Sequence, residues 1–178
     1  MAEDALWYEA ANVVGITNAL NVVADGLAAA HDAGLFAPGD ASTVSREAAA
    51  VFGEIQAFYA RGDVPLTFRL LAVDAGYLAD VWAATRHAFT DARLSRRLKE
   101  SLAFAVSLTT RSSFGTTFHL GEMRRLGVTE RGVLEILGVA QMFSSYTKIA
   151  DTLQLEPDMS DIAPVDRSPA PGAAPAGS

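Results

Sequence analysis

Apolar residues recur along this chain at spacings of three and four, and that period predicts helices nearly throughout. Over residues 4–30 the stripe is Val13, Ile16, Leu20, Val23, Ala24 and Leu27, which predicts one long helix or two joined near Gly15. Asn18 and Asn21 lie on or beside that stripe, where an asparagine either bonds a neighbouring helix or lines a pocket. His31-Asp32-Ala33-Gly34 ends the helix, with Gly34 as its C-terminal cap. A loop follows over 35–43, then a helix over about 45–60 carrying Val51, Phe52, Ile55, Phe58 and Tyr59. Pro65 opens a short helix through Leu71, and the next spans 74–90. Ser95 caps a central helix whose apolar residues at 102, 105, 106 and 108 predict burial on nearly all sides. A short helix ends at Gly127, and Thr129 caps a long one over about 130–154 that Glu156-Pro157 stops.

No run of Val, Ile or Thr alternates as a strand does, so the predicted class is all-α. A helical hairpin over 1–62 and a core over 63–156 make up one domain. Five of the seven prolines fall at or after Pro157, in a Pro/Ala/Gly/Ser tail over 157–178 that is predicted to be disordered. Val22–Leu27 echoes Lys148–Leu153 in sequence, a short similarity between the first and last long helices.

Charge narrows the partners. The net charge is −7, which argues against general attraction to nucleic acid or to anionic membrane. Asn18, Asn21 and Asp25 make the most apolar stretch, Val13–Ala30, a poor membrane span, and no basic-then-apolar leader opens the chain. The expectation is a soluble, cytoplasmic protein. Basic residues outnumber acidic ones between Arg86 and Lys148, as a solvated or subunit-facing surface or as an anion-binding mouth. Half of the residues are hydrophobic, and Trp7 and Tyr8 suit packing or an interface. The chain has no cysteine, which removes disulfides, thiolate metal sites and thiol catalysis.

The candidate chemistry lies between Glu100 and His119, a carboxylate and an imidazole flanking an apolar segment. Ser112, Gly115 and His119 share a face if their helix is continuous, as do Glu100, Ser107 and Arg111 on the preceding one. His31 and His87 suit surface positions, and no metal-ligand spacing links the three histidines. Ser112 with His119 has the residue types of a triad but lacks the Gly-x-Ser-x-Gly elbow, and no Gly-rich phosphate loop is present.

This region resembles the alkylhydroperoxidase D-like superfamily, which includes carboxymuconolactone decarboxylase. That family shows a Glu-bearing helix, a Cys-x-x-Cys-x-x-x-His motif, a Gly-terminated helix and a Gly-Val-Thr restart. Here the restart is Gly127-Val128-Thr129, and Glu100 and His119 fall on the family's Glu and His. The two cysteine positions fall on Ser112 and Gly115, and Phe114 stands where an aromatic or histidine is common. The resemblance covers about 64–157 and implies a single-domain fold of about six to eight helices, assembled as trimers or hexamers.

It also implies a site in which Glu100 and His119 are catalytic and Arg111, Ser112, Phe114 and Thr116 bind substrate, with no metal and no cofactor. Thiol peroxidase chemistry is excluded, since serine cannot be oxidised and resolved as cysteine can. The remaining expectation is acid/base chemistry on a small organic acid: decarboxylation, isomerisation or elimination. The alternative is a catalytically silent structural or ligand-binding subunit, with Glu100 and His119 kept as a buried pair holding two helices together.

Overall fold

The computed structural model describes residues 2–154, with side chains from residue 5 onward. The predicted stop at Glu156-Pro157 and the tail over 157–178 lie outside the described residues. The chain divides into two compact units, residues 1–144 and residues 145–178. The second contains, among the described residues, only the last turns of the final helix, with Tyr146, Ile149 and Leu153 exposed. All else concerns the first.

The described residues form helices α1 (Ala2–Asp32), α2 (Arg46–Tyr59), α3 (Leu66–Leu71), α4 (Ala75–Phe89), α5 (Arg96–Thr110), α6 (Ser113–Arg125) and α7 (Glu130–Leu153), and no strand. Their starts follow from local chemistry. Ser45, Asp74, Ser95 and Ser112 each accept a backbone N–H of the first turn, satisfying one of the donors that a helix start leaves unpaired. Thr129 Oγ1 does the same for Gly132 N–H at 3.2 Å. Gly34 and Gly127 end helices at φ of +78° and +80°, a region glycine enters without a Cβ penalty. α1 is continuous through Gly15.

α1 lies chiefly against α5 and α6, α2 against α4, and α5 against α6. Phe52, Ile55, Tyr59, Phe68, Leu71, Leu78 and Trp82 form the larger core cluster. Phe58 and Phe68 meet Trp82 edge-on, with ring centroids 5.3 and 5.8 Å apart. Each such side chain contributes about 1.5–3 kcal/mol by leaving water. A second cluster joins Val13, Ala88, Phe89 and Ala103.

α1 is buried along one stripe, Val13, Thr17, Asn21 and Ala24, and Trp7 and Tyr8 stand exposed. Asn21 meets a neighbouring helix, while Asn18 is exposed. By length and composition the Ala5–Asp32 stretch is apolar enough to cross a membrane: an 18-residue window in it has mean hydropathy 1.4, with 22% of that window buried.

The central helix reverses its prediction. Leu102, Ala105, Val106 and Leu108 are half-exposed, and the buried face of α5 carries Arg96, Lys99, Glu100, Ala103, Phe104 and Ser107. Periodicity locates an apolar stripe but not what the stripe faces. Here the charged stripe turns inward because each charge finds a partner there. The apolar stripe of α5 instead lines a groove of about 790 Å³, shared with α7 residues such as Ile136, Val139 and Phe143.

Candidate functional site

Glu100 is fully buried in the second turn of α5, and His119 in the middle of α6 is 5% exposed. Nδ1 of His119 lies 2.7 Å from Glu100 Oε2. The other carboxylate oxygen accepts Arg96 Nε at 2.9 Å, one helical turn earlier. Arg96 also reaches Glu122 Oε2 at 3.5 Å, and Arg125 donates to that same oxygen at 2.7 Å. This contact with Glu122 holds the Arg125 guanidinium above its ordinary pKa. The Arg96 guanidinium lies over the Phe58 ring at 3.9 Å and near the Tyr59 ring at 5.0 Å. On the adjacent buried turn Lys99 Nζ pairs with Glu9 of α1 at 2.6 Å and donates to the Thr90 carbonyl, also at 2.6 Å. Arg96 and Lys99 are thus absorbed into internal pairs and do not form an anion-binding mouth.

The imidazole is clamped by packing as well. It stacks on Phe89, with centroids 5.7 Å apart and planes 11° from parallel, and meets Phe118 edge-on at 5.3 Å. An ionised carboxylate only accepts, so the neutral imidazole carries its proton on Nδ1 and presents a lone pair at Nε2. Nε2 has no hydrogen-bond partner among the described residues, and no described buried side-chain polar atom is both sealed from solvent and unpaired. Nε2 therefore opens on space. That space is a cavity of about 20 Å³ lined by Leu20, Asn21, Tyr59, Thr67, Phe68, Phe89, Phe114, Phe118 and His119.

The other expected site residues separate. Phe114 lines the cavity and stacks on Phe118, with centroids 5.7 Å apart. Ser112 is buried, and its Oγ accepts Gly115 N–H at 3.0 Å as the N-cap of α6, a folding role. Thr116 is half-buried and Arg111 exposed, and neither lines the cavity. Arg111 instead caps α5 in the left-handed region at φ 61°, which carries its Cα past the end of the helix.

Gly115 is tightly constrained. A Cβ there would overlap the Asn21 amide oxygen and the Ser107 hydroxyl, well inside van der Waals contact. Asn21 Nδ2 donates to Ser107 Oγ and to Thr110 Oγ1, both at 3.1 Å. An amide inserted from α1 thus fills the space a side chain at position 115 would need.

Residues 76–155 match the carboxymuconolactone decarboxylase family. The crystal structure of the alkylhydroperoxidase AhpD core from Rhodospirillum rubrum ATCC 11170 is similar with a TM-score of 0.63 at 23% identity, over 66% of this chain and 88% of that one. No curated protein matches the chain in sequence. The fold is that of the AhpD core, and residues 76–155 carry the likeness to the carboxymuconolactone decarboxylase family. The chain itself has no cysteine, with Ser112 and Gly115 where the motif cysteines fall in the resemblance.

Arg96, Tyr59 and Thr67 are neighbours of the pair that the sequence did not single out, whereas Glu122 could be grouped with Glu100 and His119 only as a metal set without a spacing signature. The Arg96–Glu100 spacing of four residues was a usable signal for an ion pair on one helix face. Tyr59 and Thr67 gave none, since they reach His119 only through the tertiary arrangement.

Proposed function

We propose that this protein performs acid/base chemistry on a small organic molecule, with Nε2 of His119 moving the proton and Glu100 fixing the imidazole's tautomer and orientation. The observation that carries the reading is the unpartnered Nε2 of a 95%-buried imidazole, facing a cavity while Nδ1 is held by a carboxylate at 2.7 Å. A histidine kept only for structure gains by bonding both nitrogens, because a buried unpaired acceptor costs about 1–3 kcal/mol. Arg96 keeps Glu100 engaged as an ionised acceptor, so the proton is drawn from the ligand side of the ring. Phe68, Phe89, Phe114 and Phe118 wall the cavity off from bulk solvent on several sides. Decarboxylation or isomerisation of a small organic acid fits this equipment, since both need a proton moved at carbon.

The second reading, a silent member in which the pair fastens α5 to α6, is favoured by the cavity's size. A space of about 20 Å³ holds roughly one water. For a larger substrate to reach Nε2, the half-buried Phe114 and Phe118 must swing aside.

The family's name supplies the first probe. Purified protein is incubated with carboxymuconolactone, and with other small unsaturated acids in deuterated water, and NMR follows carbon dioxide loss and deuterium uptake. The acid/base reading expects turnover that His119→Asn lowers by about 10²–10⁴-fold. No turnover with any acid, together with an imidazole inert to diethyl pyrocarbonate, would establish the silent member.

A further inference from the structure

Three groups at the small cavity share one property. Tyr59 Oη, Thr67 Oγ1 and His119 Nε2 belong to residues 2%, 3% and 5% exposed. All three residues line the cavity, none of the three atoms has a hydrogen-bond partner among the described residues, and since no sealed polar atom is left unpaired each of the three keeps some accessible surface. Buried hydroxyls are almost always bonded: Thr85, nearby on α4, bonds its own helix at the Val81 carbonyl, 2.7 Å away. Three unpaired groups around one hollow mark a missing partner common to all of them.

The donors and acceptors define that partner. Nε2 only accepts, because Nδ1 carries the proton toward Glu100. The two hydroxyls each donate once and can accept. The occupant must therefore donate at least one hydrogen and accept others through the same small atom. A hydroxyl oxygen does this; a carbonyl or carboxylate oxygen donates nothing and would leave Nε2 unpaired. A carboxylate would also be buried with only the imidazole between it and the buried charge of Glu100. Burial, and then the charge of Glu100, push the Tyr59 phenol far above its ordinary pKa, so it stays a neutral donor. The volume of about 20 Å³ admits one oxygen atom and little more.

We propose that Tyr59, Thr67 and His119 form a subsite for a single hydroxyl oxygen, filled by water or by the hydroxyl group of a small ligand. It deepens the acid/base reading, which supplies the reason for a proton donor at Nε2. Tyr59 and Thr67 would hold the oxygen while His119 takes its proton, so that this hydroxyl relays the proton that is moved at carbon. The two hydroxyls come from α2 and from the start of α3, elements outside the residues that match the family. Asn21 stands beside them with both amide hydrogens engaged on Ser107 and Thr110, leaving it only acceptor capacity toward the cavity.

The test is a high-resolution crystal structure of the full chain after exhaustive dialysis, alongside Tyr59→Phe and Thr67→Val. The expected result is density for one oxygen within hydrogen-bond reach of all three atoms, and its loss or displacement in each variant. Two variants are used so that one failing to fold still leaves the other to decide. Mass spectrometry of the denatured wild type separates the sources. A stoichiometric hydroxyl-bearing compound assigns the oxygen to a ligand, and density without a compound assigns it to water. An empty cavity, Nε2 bonded to a protein group, or an oxygen unmoved in both variants would overturn the subsite. Turnover tests the other reading separately. A protein with the oxygen in place but no activity refutes acid/base function alone, and turnover with an empty cavity refutes the subsite alone. If both hold, Tyr59→Phe lowers turnover by about a hundredfold.

Discussion

Glu100 is the residue whose replacement is most informative, because two buried donors depend on it. Its Oε1 accepts Arg96 Nε at 2.9 Å and its Oε2 accepts His119 Nδ1 at 2.7 Å, with the carboxylate fully buried. Glu100→Leu leaves a guanidinium, 11% exposed, with only the 3.5 Å contact to Glu122, and leaves the imidazole without an acceptor. Removing one member of a buried pair costs about 3–5 kcal/mol, a large share of a domain's stability. Glu100→Gln behaves differently. Its amide oxygen still accepts from Arg96, while its NH2 faces Nδ1 and forces that nitrogen to become the acceptor. The imidazole proton then moves to Nε2, and the cavity meets a donor instead of a base. The expected cost is about 1–2 kcal/mol, the difference between charged and neutral hydrogen bonds. Urea unfolding measures both costs, and long-range proton–nitrogen NMR reads the tautomer. The reasoning is refuted by a Leu variant as stable as wild type, or by a Gln variant whose neutral imidazole still carries its proton on Nδ1.

Three further predictions follow from the packing. Gly115→Ala forces its Cβ onto Asn21 and Ser107, so it destabilises; combining it with Asn21→Ala recovers stability in urea unfolding, and strict additivity would contradict the overlap. Glu9 has its pKa lowered, first by the hydrogen bond from Lys99, so its contribution is complete above the unfolded value near 4.5 and is lost as pH falls through the lower folded one. Glu9→Gln should therefore be less stable than wild type at neutral pH and converge on it in acid, and a gap independent of pH would refute this. Trp7, Tyr8, Leu134, Val139 and Phe143 stand exposed, an apolar surface suited to a second copy, so light scattering is expected to give at least two chains and not 18.8 kDa.

Much of the fold was legible because helix boundaries are local. Ser95 and Thr129 cap where their position before an apolar run says they should, and the Asn21 contact across helices is one of the two roles that an amide on an apolar stripe allows. The facing of α5 was not legible. The chain near Arg96 and Lys99 does not say that they turn inward, because the carboxylates that hold them there are Glu9, 90 residues before Lys99, and Glu122, 26 after Arg96. The site was half legible for the same reason. Glu100 and His119 lie in one motif, but Arg111 and Ser112, which share it, end one helix and begin the next. Tyr59 reads as one more core aromatic, and nothing local says that it lines a cavity beside His119.

The charges around the site also explain how a polar centre survives without the two thiols. Arg96, Lys99 and Arg125 stand against Glu9, Glu100 and Glu122, three cations and three carboxylates joined by contacts of 2.6–3.5 Å. Burying any one of them alone would be prohibitive, but the set carries no net charge and each member has a bonded partner. The imidazole therefore sits in a field that is balanced overall, with its one carboxylate neighbour already shared with Arg96. That arrangement can keep His119 oriented without help from a thiol. It depends on Arg96 more than on any other cation, because Arg96 alone touches both Glu100 and Glu122. Arg96→Met would leave Glu100 bonded only to the imidazole and Glu122 held only by Arg125, so it removes the one side chain that ties the two carboxylates together. Urea unfolding of Arg96→Met should show a loss of about 3–5 kcal/mol, as for a buried pair that loses one partner, and a variant as stable as wild type would mean that Arg96 does not hold the set together.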